Sequence, residues 1–547
     1  MTDKFVSGSG DMSATQRFKD MGDGTFTPEM TLPQRTKDVL GRLKVSLHQN
    51  RFEADFEYGL QPSRWESFTS GAGASITHLP GVGGSRLRVT NAGDVAIRQS
   101  RPYHRYQPGK SMYVASAINF GAANANQYQR FGIFDDANGV FFEQGNPTAT
   151  NPYGIYVVIR SDSAANLNIV GASTLTMLAS APVETRIGLD KMNGAKILGG
   201  ALVWTRIQML WIEYAWYGAG GIRFGVMIDG EPNILHQIGT GNSTFTGTDQ
   251  LGPWSRTGNL PVRYEQRNLA GYTSGANDMI HFGVSVVVEG GIDAQRGFTY
   301  SYGMARTLPR RNIGANVSQF PVLSIQGKTM GKVEQDQTSG AVTAGTTTSI
   351  TVAGTPFSIL FGGLTGRAIF FPGLNGGAGL TARIVSNTAN TITFQDTILG
   401  TGSVLSAAPA AGQAYQIGLI NRGQLLPQTL FISSDQVCLV ELILGTVNSP
   451  VVLTGAVFQA LATLGSPNSL AQRDVGATAY VSGGEVIFAF TSPAGGSGLQ
   501  QIDLQNIFAL YNNIAGNQPD ILTVAVTTGT ATSNNVGAHI VCQEAMS

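Results

Sequence analysis

Two short stretches carry most of the side chains able to do chemistry. "FDDANGVFFEQ" sets Asp135, Asp136, Asn138 and Glu143 within one apparent hairpin. A Ca²⁺ site needs several oxygens converging on one cation, and a DxDxN-type spacing would signal it better. The same residues also make a polar turn between apolar strands, so turn and ion or glycan contact both stay open. "RPYHRYQPGK" interleaves Arg101, Tyr103, His104, Arg105, Tyr106 and Lys110. Such a mixture could stack on sugars or bases. Arg and Tyr are also the residues that anchor protein interfaces. Pro102 and Pro108 stiffen the loop, so its side chains bury area at low entropic cost. We therefore expect Arg101, Tyr103, His104, Arg105 and Tyr106 to form an inter-subunit contact.

Other chemistries find little support. The histidines, His48, His78, His104, His236, His281 and His539, show no HExxH or similar metal-holding spacing. No GxSxG, P-loop or strand-to-helix GxGxxG occurs, and "SGGEVIF" and "GTGNS" read as turns. A glycosidase pair can come from distant strands, yet nothing marks one. The expectation is a non-enzyme with no cofactor, no metal and no catalytic residue. Cys438 and Cys542 have no CxxC or His neighbour and read as buried free thiols, with pairing left open.

The elements that must position these residues are strands. Charged residues are only 13% of the 547-residue chain and Gly numbers 70, which favours strands and turns over amphipathic helices. In "WTRIQMLWIEYAWYGAGGIRFGVMIDG" the run from Arg206 to Tyr217 is apolar on both parities, as in a strand covered on both faces. The Gly218–Gly221 turn and Asp229-Gly230 then signal a meander. Trp211 and Trp216 fall on opposite parities, so they cannot form one sugar platform; buried core or subunit contact is expected. No run of about 18 apolar residues exists, so no membrane span is expected. The N-terminus lacks an apolar signal-peptide core. Lys+Arg and Asp+Glu are both 35, giving zero net charge. No basic excess points to nucleic acid. Zero charge suits an assembled protein better than a dilute monomer.

The expected architecture is all-β and multi-domain: jelly-roll-like β-sandwiches, a small inserted β domain and a mostly extended N-terminal arm. Residues 1–50 form the arm, with one helix expected from Leu32 to Gln49. Residues 51–310 form a large sandwich, including a hairpin at "RLRVTNAGDVAIRQS". Residues 311–333 hold a linker and the first strands of the C-terminal domain, with "RTLPRRNIG" as the linker. Residues 334–417, Thr/Gly/Ala-rich and almost uncharged, form the insert. Residues 418–547 complete a C-terminal sandwich in which "FPVLSIQGK" neighbours "NRGQLLPQTLFISSDQVCLVELIL" and "LTVAVTTGTATSNNVGAHIVCQEA" closes as a hairpin.

"RFKDMGDGTF", "FEADFEYGLQPSRWES", "RQSRPYHRYQPGKSMYVASAINFG", "RFGIFDDANGVFFEQ" and "LPVRYEQRN" together resemble uncharacterised structural proteins of tailed bacteriophages. The resemblance covers roughly the first 310 residues well and the remainder loosely. It implies a virion component made in the host cytoplasm and incorporated in many copies beside other virion proteins. It brings no catalytic motif. A tail, baseplate or fibre-associated role leads, with capsid (head) decoration and a host-glycan-binding tail adhesin as alternatives. A homo-oligomer is expected, with a trimer as the first choice.

Overall fold

The computed structural model describes residues 4–7, 15–20, 26–28, 37–161, 173–175, 183–192, 202–218, 220–239, 253–290, 297–304, 310–333, 339–357, 364, 367–374, 380–395, 405, 407–460, 469–494, 500–504, 508–529 and 532–545. Among them the protein is all-β, without an α-helix, and built as several β-sandwich-like layers. No helix there is long and apolar enough to cross a membrane.

The first body is a jelly-roll-like sandwich. Its front sheet runs in the order Ser173–Leu175, Val183–Gly188, Ile155–Ser161, Gly139–Gln144, Gln127–Phe134, Val262–Asn268, Val95–Ser100, Trp65–Ser70. The back sheet runs Glu231–Ile238, Ile222–Ile228, Gln208–Tyr214, Met112–Asn119, Asn277–Glu289, Gly84–Val89, Ser75–Leu79, and His48–Ala54 also pairs with Asn277–Glu289. Alternation along the strands builds the core between them. Phe131, Ile133, Val140, Phe142, Val157 and Tyr264 from the front meet Val114, Leu210, Ile212, Phe224, Val226 and Val286 from the back.

The second body is a sandwich of a five-stranded and a six-stranded sheet around Leu430, Ile432, Val440, Leu442, Val524 and Ile540. Phe298–Gly303 already belongs to it, pairing with Asn534–Ala545. Between its strands sits a third body, from Met330–Val333 to Ala414–Ile420. Its sheet closes on itself because Ala368–Phe371 returns to pair with Ala414–Ile420, giving a small barrel with its own core. The arm contributes a separate three-stranded sheet, Lys4–Ser7, Thr15–Asp20 and Phe26–Pro28.

Several expectations need correction. The helix expected over Leu32–Gln49 is absent where described, from Lys37 on; residues 32–36 lie outside the described residues. Asp38 Oδ1 accepts the Leu40 and Arg42 amides at 3.0 and 2.7 Å, and Gly41 takes φ +80°, so a turn replaces the helical ladder. His48–Ala54 is then claimed by the back sheet. "RLRVTNAGDVAIRQS" is no hairpin: Gly84–Val89 joins the back sheet and Val95–Ser100 the front. "LTVAVTTGTATSNNVGAHIVCQEA" likewise crosses between facing sheets, with Ile521–Thr528 in one and Asn534–Ala545 in the other. Phe320–Gly327 and Gln424–Ser434 lie in opposite sheets, and Ile521–Thr528 separates Phe320–Gly327 from Cys438–Gly445. Of the "RTLPRRNIG" linker, Arg306–Pro309 lies outside the described residues, and Arg311–Ile313 is a strand paired with Asn534–Ala545. Cys438 and Cys542 are both buried and free.

Candidate functional site

Where the three bodies meet, the "RPYHRYQPGK" loop leaves the front sheet. The expected inter-subunit contact is found instead as a contact within one chain. Arg101, Tyr103, His104 and Tyr106 are buried, and Arg105 is half-buried. The Arg101 guanidinium pairs with Asp520 of the C-terminal body. Tyr103 donates its hydroxyl to Asp135 Oδ2 at 3.2 Å, and its carbonyl accepts Gln424 Nε2 at 3.2 Å. The Arg422 guanidinium lies 4.8 Å from the Tyr103 ring centroid. His104 packs 5.1 Å from Phe52, and burial, helped by Arg51, lowers its pKa to about 3, so it stays neutral. Tyr106 packs edge-on against Trp216, and only a glycine fits at Gly258, where an added Cβ would sit 2.9 Å from Trp216 Cβ and 3.0 Å from Tyr106 Cβ. These side chains do what interface anchors do, but the partner is the same chain.

The "FDDANG" turn is the second half of the junction. Asp135 Oδ1 accepts the Ala137 and Asn138 amides at 2.8 and 2.9 Å. Asp136 sits between Arg263 of the front sheet and Arg383 of the barrel. Burial works against its charge, but Arg263 and Arg383 outweigh it and hold the carboxyl well below the usual range. Glu143 points elsewhere, onto Arg130 and Arg186. The three carboxylates raised as an ion site therefore do not converge on one point. Among the described residues no three His, Cys, Asp or Glu side chains do.

Glu143 belongs to a charged lattice on the outer face of the front sheet. Register places Arg130 directly opposite both Glu143 and Glu265, and Arg160 opposite Glu184. Arg130 reaches Glu143 at 2.7 Å, Glu184 at 3.0 Å and Glu265 at 3.3 Å, and Arg160 reaches Glu184 at 2.8 Å. All five side chains are buried. Burial raises Glu184 and Glu265, but the arginines win and both end below the usual carboxylate range. Glycoside cleavage asks for one carboxyl that keeps its proton. Glu184 and Glu265 are held ionised.

Two cavities have polar and aromatic linings. One, of about 250 Å³, lies at the three-body junction and is lined by Tyr103, Asp135, Asn138, Arg256, Arg383 and Arg422 among others. The other, of about 350 Å³, lies on the outer face of the back sheet. There Tyr113 and Trp211 stack with centroids 5.6 Å apart, and Glu213 meets Lys44 at 3.1 Å and Arg223 at 3.5 Å. Trp211 lies against Gly225, where any Cβ would come within 2.1 Å of the indole. Trp216 is on the other side of its strand's course, packed against the core, so the two indoles do not share a platform.

The functional contacts that the sequence did not point to are Arg383, Arg422, Glu66 and Asp520. Glu66 accepts the Ile514 amide at 2.8 Å across the interface. A sequence signal existed only for the lattice: "VETRIG" and "VRYEQRN" put charge at every second residue of a charge-poor chain.

No family model matches the chain, and no curated protein does. Among solved structures, a glycosyl hydrolase family 16 protein from Mycobacterium smegmatis is 12% identical, with 44% of this chain and 100% of that one covered and a TM-score of 0.29. A Bacteroides ovatus mixed linkage glucan family 16 protein is 12% identical over 43% of this chain and 99% of that one, with a TM-score of 0.27. The carbohydrate recognition domain of Emp46p in its potassium-bound form is 12% identical over 42% and 91%, with a TM-score of 0.23.

Proposed function

We propose that this protein is a non-enzymatic structural component of a tailed-phage virion, working in the tail or baseplate and assembling through its N-terminal arm and sandwich faces. The virion setting rests on the resemblance of the segments from "RFKDMGDGTF" to "LPVRYEQRN". One observation carries the assembly role. At the base of the arm Leu43, Val45 and Leu47 alternate along the chain and are exposed by 50%, 86% and 90%. Three exposed apolar side chains within five residues make a surface that a neighbouring subunit or virion protein can cover. The charge chemistry agrees with a load-carrying part, because the lattice carboxylates are spent on arginines and the bodies are tied by buried ion pairs.

The test is a particle reconstruction combined with a triple substitution of Leu43, Val45 and Leu47 to Ser. The expected result is density for many copies in the tail, a folded variant with an unchanged β spectrum, and failure of that variant to incorporate. Density on the head would make it a decoration protein. Normal incorporation of the variant would remove the arm from the assembly role. A trimer is the oligomer expected by native mass spectrometry.

A second reading, a host-glycan-binding adhesin, is favoured by the stacked Tyr113–Trp211 pair beside Glu213, Arg223 and Asn50 in the 350 Å³ cavity. The half-buried Tyr113 ring, backed by the buried Trp211, with a few oriented polar groups suits a sugar ring. A glycan array decides it: a structural protein stays silent, and an adhesin gives signal that Trp211→Ala abolishes.

A further inference from the structure

From the junction cavity we infer a binding site for an oxyanion, formed jointly by the first sandwich, the barrel and the C-terminal body. This goes beyond the virion reading and does not depend on it. The cavity of about 250 Å³ is lined by three guanidinium-bearing residues, Arg256, Arg383 and Arg422, against one carboxylate, Asp135. The charge surplus is local, since the chain as a whole is neutral.

For Arg383 and Arg422 the described neighbours compensate the charge only in part. Asp136, which pairs with Arg383, is shared with Arg263, which also lies 3.8 Å from Glu265. Arg422 donates to the carbonyls of Asn513 and Ile514, both at 3.0 Å, and among the described residues makes no ion pair with a carboxylate. Asp135 already accepts from Tyr103 and two backbone amides. Arg383 is 3% exposed, yet its Nε–H has no acceptor among the described residues. A buried donor left without an acceptor carries the full cost of losing water.

The electrostatics agree. Burial lowers the Arg383 pKa, Asp136 opposes that, and Arg422 lowers it further, as expected of two cations facing one space. Guanidinium forks are the side chains best shaped to hold phosphate or carboxylate oxygens. An anion here would accept from Arg383, relieve its repulsion with Arg422 and tie the three bodies together. The shared chemistry is a compact oxyanion, supplied either as free phosphate or as the carboxylate of an acidic sugar.

The experiment is calorimetric titration of the full chain with sodium phosphate, and separately with sodium glucuronate, against chloride of equal ionic strength. Thermal melts are run in parallel. We expect one saturable site for at least one anion and a Tm that rises with its concentration. Which anion binds identifies the source. Arg422→Gln should weaken binding about tenfold or more, the equivalent of one lost charged hydrogen bond. Because that change also removes contacts to Asn513 and Ile514, Arg256→Gln is measured beside it. It leaves those contacts and the Asp136 pairs in place and should weaken binding as well. Absence of saturable binding by both anions overturns the site. Binding undiminished in Arg256→Gln and in any folded Arg422→Gln protein also overturns it, because the anion would then sit elsewhere.

Discussion

Arg130 shows what a single residue can hold. Its guanidinium touches Glu143, Glu184 and Glu265, all inside the protein. Burial alone would lower its pKa, but Glu184, Glu143 and Glu265 raise it above the ordinary arginine value. Taking away one member of a buried charge network leaves the others uncompensated, typically at about 3–5 kcal/mol. Arg130→Met keeps much of the volume and removes the charge. It should therefore lower stability to urea by about that amount, read as a fall in the denaturation midpoint of the first sandwich. A loss within about 0.5 kcal/mol would mean that water or another cation reaches the glutamates. Arg160 pairs only with Glu184 among the lattice carboxylates, so its replacement should cost less.

At the scale of elements, the strand Gln127–Phe134 and its partner Gly139–Gln144 were legible because Asn138-Gly139 separates two apolar runs and the pair does close as a hairpin. "VTNAGDVA" carries the same turn residues, yet its strands go to opposite sheets. Turn chemistry reports that the chain reverses, not which sheet receives it. Asp94, whose Oδ2 accepts the Thr90 and Asn91 amides at 3.0 and 2.7 Å, would look alike in either case. The all-β class was readable from composition and alternation. The domain contacts were not, because Asp136 meets Arg383 across 247 positions and Arg101 meets Asp520 across 419. The loop's aromatic and basic content led to the expectation of an inter-subunit contact, whereas Arg101 and Tyr103 meet partners within the same chain. Asp136→Asn tests the barrel's attachment. It keeps the shape but removes the charge shared by Arg263 and Arg383. Hydrogen exchange over Leu380–Asn387 should become faster while exchange in the distant back sheet is unchanged. Uniform acceleration through all three bodies would instead indicate general unfolding.

For the whole molecule, pH is the variable that acts on all the joints together. Asp136, Glu184 and Glu265 are held below their ordinary values by arginines, so the stability they contribute is present above about pH 4 and is lost as acid protonates them. Glu66 works in the opposite direction. Burial at the sandwich–C-terminal interface raises it from 4.5 to about 7, against the Ile514 amide and Arg101, which favour its charge. A carboxyl with a raised folded pKa binds its proton more tightly in the folded state. Its contribution is fully present below about pH 4.5, declines as pH rises, and is gone above about pH 7. The size is on the order of 3 kcal/mol over that window. Asp520, raised mainly by burial beside Arg101, adds a contribution of the same sign. Glu66→Gln keeps an oxygen for the Ile514 amide and has no proton to lose. Burial lowers the pKa of His104, His236, His281 and His539, which makes stability rise with pH up to about 6.5 in wild type and variant alike. Melts between pH 5 and 8 should therefore show Glu66→Gln gaining stability relative to wild type as pH rises. Asp520→Asn should shift the profile in the same sense as Glu66→Gln, although that change also weakens the Arg101 pair and lowers stability at every pH. Parallel slopes for wild type and Glu66→Gln would mean that water reaches Glu66 and the interface is open.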